Sequence, residues 1–171
     1  MSAIGAMSGL IITVDEPELK SIVVQTRRGN SVQNHQGVDI SRLDLAAVEG
    51  LKKEFPGTQV RSRPSPIYNC HGLTFASRRT RIPDSAEVAR ILREDDYTEI
   101  VASELLVGDI AIYYRDGDLR HSGVVVELQK LGSTVIPRIL SKWGSGFEAV
   151  HRQRECPYMK GATVRYFRIE E

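Results

Sequence analysis

VGDIAIYYRDGDLRHSGVVVEL, residues 107 to 128, reads as a β-hairpin. Apolar and β-branched residues fill two runs, about 109–114 and 121–128. Between them RDGD supplies the Asp-Gly pair that tight two-residue turns favour. Downstream, STVIPRILSKWG gives a further strand, with Pro137 pointing to an edge or a bulge. ATVRYFRI gives a last one. Everything after Glu99 therefore reads as sheet.

Upstream the periodicity changes. SRLDLAAVEGLKKEF reads as a helix from about 41 to 55, with Ser41 as N-cap, Asp44 at N3 and a stripe of Leu43, Ala47, Val48, Leu51 and Phe55. A second helix is expected over about 69–79, with Arg78 and Arg79 in its last turn. A third lies in PDSAEVARILRED, capped by Asp84 or Ser85, with Val88, Ile91 and Leu92 inward. The runs at 10–14 and 21–26 read as strands, and RRGNSVQNHQG as a polar loop. Helices first, then a consecutive antiparallel sheet, is an α+β architecture. At 171 residues the chain is read as one domain, 1–171.

Composition narrows the function classes. The hydrophobic share is 41%, the charged share 26% and the formal net charge +1. No global field argues for nucleic acid or a membrane surface as partner. No stretch approaches the roughly 18 apolar residues of a membrane span. The N-terminus lacks the basic and apolar regions of a secretion signal. A cytoplasmic protein, or one exported by a non-classical route, is expected. No cofactor is expected, and the oligomeric state is open.

The chemistry-bearing stretch is YNCHGLTFASRR, residues 68 to 79. Cys70 sits where a buried helix should start, and three roles stand open: buried structural thiol, metal ligand or nucleophile. Two cysteines, Cys70 and Cys156, do not make a disulfide framework. Adjacent Cys70 and His71 chelate one ion poorly, and His35, His121 and His151 stand apart, so no metal site is expected. A nucleophilic thiol with a pKa of about 8.5 needs help. A helix N-terminus or a histidine base gives it. His121, at the start of a strand, is such a base on a rigid mount. His71 points about 100° away from Cys70 on a helix and reads as a packing or cleft-lining residue. His151, in FEAVHR, reads as a sheet-end histidine.

Three motifs in order carry a resemblance to the NlpC/P60 cysteine peptidases of the papain-like superfamily. They are Asn69-Cys70-His71-Gly72, Gly108-Asp109 before an apolar strand, and His121-Ser122-Gly123 before another. The likeness covers about residues 65 to 145. It implies a papain-like core over 65–171, with 1–60 as an extension or cap. It also implies an amide-cleaving hydrolase or acyltransferase acting on a peptide or protein, with Cys70 as nucleophile and His121 as general base. Backbone N–H groups at the start of the Cys70 helix would form the oxyanion site, and Tyr68, Asn69, His71, Lys142 and Trp143 would line the substrate region. The family's third polar position falls near Ser141 or Lys142, of which Ser141 can accept a hydrogen bond from an imidazole. Asn69 and His71 depart from the usual Asp-Cys-Ser-Gly. A looser likeness is to bacterial domains that carry Asn-Cys, a histidine strand, Ser-Lys-x-Gly and a later Val-His. The alternative is a non-catalytic interaction or regulatory protein on the same fold.

Overall fold

In the computed structural model, residues 19–132 and 134–169 are described. The elements run α1 (Arg42–Glu54), β1 (Gln59–Val60), α2 (Cys70–Phe75), α3 (Ser85–Glu94), β2 (Tyr97–Ile100), β3 (Ile110–Arg115), β4 (Asp118–Leu131), β5 (Thr134–Lys142), β6 (Glu148–Arg152) and β7 (Thr163–Ile169). Among the described residues, seven strands make one sheet in the order β1-β6-β5-β4-β3-β7-β2, every pairing antiparallel. This is an α+β fold with few helices. β3 to β6 are consecutive neighbours as expected, while β7 returns to the far side of β3 and β2 lies outside it.

The hairpin forms where the sequence places it. Asp116 and Gly117 take the positive φ values, 55° and 84°, that the turn requires. Pro137 pairs with Leu128 on one side, and β6 reaches β5 only as far as Arg138, so the proline's other side is open. Of the Gly-Asp pair before β3, Asp109 is structural. Its buried carboxylate accepts the Leu106 N–H at 2.6 Å and Arg168 Nε and a terminal guanidinium nitrogen at 2.7 and 2.8 Å. It ties the start of β3 to β7. Asp109→Ala is expected to cost about 1–3 kcal/mol, read by urea unfolding, because the part-buried Leu106 N–H and Arg168 guanidinium lose a charged acceptor.

Several expectations are corrected. The run at 10–14 lies outside the described residues. The run at 21–26 is not a strand but holds only an isolated bridge, Gln25 to Ser31. The reason is local: the Asn34 side chain binds both backbone groups of Ile22, at 3.1 and 2.8 Å, taking the place of a strand partner. The second helix stops at Phe75, not near 79. Ser77 and Arg78 turn left-handed (φ 49° and 64°), and the Gly72 carbonyl accepts both the Ala76 and the Arg78 N–H. In α1, Ser41 caps as expected, yet Leu43 is exposed. Val48 is buried, and Leu51 and Phe55 pack with it on Trp143 and Phe147. β1, β2 and β6 are additional strands.

The packing has two main sides. α2, α3 and the 24–32 segment close over Ile110, Ile112 and Phe167. The connection after β6, with Cys156 and Ala162, closes over Ala111, Tyr113, Val125 and Ile139.

Candidate functional site

Cys70 is the first residue of α2, and its position is over-determined. Asn69 Oδ1 accepts the N–H of Gly72 (2.9 Å) and of Ile82 (3.1 Å), and Nδ2 donates to the Ile82 carbonyl (2.9 Å). One side chain thus caps the helix and fixes the next segment to it. Gly72 lets that segment close in: a Cβ there would lie 1.7 Å from the Thr80 carbonyl oxygen. The glycine of His121-Ser122-Gly123 has a similar role. A Cβ on Gly123 would meet Ile139 Cγ2 at 2.7 Å and the Leu140 carbonyl oxygen at 2.8 Å across the β4–β5 ladder.

His71 is buried, with Nδ1 2.8 Å from Ser122 Oγ. The hydroxyl network assigns the donor. Thr74 Oγ1 donates to the Cys70 carbonyl (3.0 Å), so Ser122 donates to Thr74 (3.0 Å) and accepts from His71 Nδ1. α2 is thereby latched to β4 one residue from His121. His121 is fully buried, stacked on the Tyr158 ring at 4.0 Å between centroids and tilted against Tyr113 at 5.3 Å. Among the described residues neither of its ring nitrogens has a hydrogen-bond partner.

Both imidazoles act on the Cys70 thiol. Burial opposes a Cys70 thiolate, but the imidazoles of His71 and His121 outweigh it and hold the thiol well below its ordinary value. By helical spacing His71 is expected to point away from Cys70, yet its imidazole acts on the thiol together with that of His121. Cys156 contrasts with this: burial pushes its thiol up to about 12. Cys70 also interacts electrostatically with Cys156 and Tyr158, in the connection after β6.

Ser141, at the expected third position, is bonded to a different histidine. Ser141 Oγ lies 2.8 Å from His151 Nε2, not on His121, and accepts the Trp143 Nε1–H at 3.1 Å. His151 Nδ1 donates to the Arg152 carbonyl (2.8 Å), and burial lowers the ring to about 4, so Ser141 donates to a neutral Nε2. His151 is not isolated: its electrostatic neighbours include His121. The imidazoles of His121 and His151 and the Cys156 thiol have ligand atoms within 4.8 Å of one another, and these residues could together hold a metal ion. Sequence spacing gave no sign of this, because 121, 151 and 156 meet only through the β4-β5-β6 register and the loop that follows.

The other residues expected to line a substrate region have defined partners. Trp143 is buried edge-on against Phe55. Lys142 is fully buried. Its Nζ donates to the carbonyls of Ser65 (3.0 Å), Gly144 (3.2 Å) and Gly146, and burial lowers it to about 8. The Tyr68 hydroxyl donates to Glu148 Oε1 at 2.6 Å, and Arg78 grips the same carboxylate at 2.6 and 3.2 Å. Burial pushes the Glu148 carboxyl up, but the Arg78 and Tyr68 hydrogen bonds outweigh it and leave it below the usual carboxylate range. Its contribution to stability is therefore full above the unfolded value of about 4.3 and is lost as pH falls through the folded value. Glu148→Gln is expected to be less stable at neutral pH and to lose less stability below about pH 4, as read by urea unfolding across pH.

Comparison with family models, curated proteins and solved structures gives no match. Among the described residues no helix is long and apolar enough to cross a membrane.

Proposed function

We propose that this protein is a cysteine hydrolase or acyltransferase of papain-like, NlpC/P60 type acting on an amide bond, with Cys70 as nucleophile and His121 as general base. The observation that carries the reading is a thiol at the first position of a helix under the electrostatic influence of two imidazoles, one of them buried with both nitrogens free of other partners. The order of Cys70, Gly108-Asp109 and His121 along the chain supports it, as does the α+β sheet on which they are mounted.

In this reading Cys70 Sγ attacks the carbonyl carbon, and the thiol proton, held by the imidazole, passes to the leaving amine as the C–N bond breaks. Water or an amine then attacks the thioester, His121 takes its proton, and the C–S bond breaks to restore the thiol. The Gly72 N–H is engaged by Asn69. The N–H groups of Cys70 and His71 are thus the donors at the helix start that can meet the oxyanion. Substrate access requires Tyr158, half-buried and stacked on His121, to move aside.

A chelator-treated sample mixed with p-nitrophenyl acetate tests this. Acetylation of Cys70 by mass spectrometry is expected, absent in Cys70→Ala. In His121→Ala, nitrophenol turnover should fall about 10²-fold. Turnover that survives Cys70→Ala contradicts the reading. The closure of the pair favours one alternative, a non-catalytic interaction or regulatory protein. No acetylation at Cys70 under any condition is the result that alternative requires.

A further inference from the structure

Cys156 has no part in the hydrolase reading, yet it meets His121 and His151 in the interior. The ligand atoms of these residues lie within 4.8 Å of one another and all three side chains are buried. A buried polar group with no partner is costly, and both ring nitrogens of His121 lack one among the described residues. His151 is already held as a metal-binding imidazole usually is: Nδ1–H is fixed on the Arg152 carbonyl, leaving its lone pair on Nε2. Two imidazoles and a thiol are a donor set for borderline-soft ions and not for Mg²⁺ or Ca²⁺, which take oxygen.

We propose that His121, His151 and Cys156 form a binding site for a divalent ion of the Zn²⁺ class. On binding, the Cys156 thiol gives its proton to solvent and ligates as thiolate, and His151 Nε2 exchanges the Ser141 hydroxyl for the metal. Three protein ligands leave a fourth position open. The site stands independently of the hydrolase reading. If both hold, an ion on His121 takes the lone pair that the base needs, and Zn²⁺ inhibits the enzyme.

The test is a titration of the chelator-treated full-length protein with Co²⁺, followed by its absorption spectrum. A thiolate-to-cobalt charge-transfer band that saturates at one equivalent and is displaced by Zn²⁺ is expected. Cys156→Ala should remove the band, His151→Gln should weaken binding at least about tenfold, and Cys70→Ser should keep it. The wild-type measurement stands even if a variant fails to fold. No saturable band in the wild type, or a band that survives Cys156→Ala or vanishes in Cys70→Ser, overturns the assignment.

Discussion

Gly72→Ala is expected to destabilise the protein by about 3 kcal/mol or more, or to prevent folding, although alanine is the better helix former. The added carbon would lie 1.7 Å from the Thr80 carbonyl oxygen and 3.1 Å from Tyr68 Cβ. The first obstacle is backbone, held by its neighbour: Asn69 binds both the N–H and the carbonyl of Ile82, and Arg81 exchanges backbone bonds with His35. Neither α2 nor the 80–82 segment can withdraw without breaking these. Gly50→Ala, in the exposed middle of α1 with nothing within 4 Å, is the contrast and should gain up to about 1 kcal/mol. Urea unfolding of the two variants beside the wild type measures both. A Gly72→Ala protein as stable as the wild type would mean that α2 does not sit against the 80–82 segment as described.

His121→Ala is expected to slow alkylation of Cys70 at pH 6 by about 10²-fold. The reasoning is one of thiolate fraction. An ordinary thiol, with a pKa of about 8.5, is well under 1% ionised at that pH, and burial alone lowers the fraction further. In the wild type the imidazoles of His71 and His121 reverse this. His71 keeps its bond to Ser122 in the variant, so part of the effect survives, and His71→Ala should cause a loss of its own. Mass spectrometry of iodoacetamide adducts, on protein whose circular dichroism matches the wild type, separates the two contributions. Unchanged reactivity in both variants would remove the imidazoles from the account.

The hairpin was legible because its two strands alternate around an Asp-Gly turn, and α3 because its buried Val88, Ile91 and Leu92 fall at helical spacing behind Asp84. Local signals of that kind survive folding. The 21–26 run has strand-like composition, but its backbone is bound by Asn34, twelve residues from Ile22, and composition cannot report such a partner. The end of α2 is not legible, because the left-handed residues that stop it, Ser77 and Arg78, are not glycines. For the candidate site, Cys70 and His121 were readable from motif and order. His71's bearing on the sulfur was not, since it depends on the Ser122–Thr74 latch across to β4. Nor was the diversion of Ser141 to His151, which follows from the β5–β6 register.

The most direct measurement is the pH profile of Cys70 alkylation in chelator-treated wild-type protein, with Cys156 as internal reference. The account predicts that Cys70 reacts with a midpoint well below the ordinary thiol value of about 8.5. Cys156, pushed up to about 12, should stay unmodified over the same range. A Cys70 midpoint at or above that ordinary value, or a folded protein in which Cys70 reacts no faster than Cys156, would contradict it.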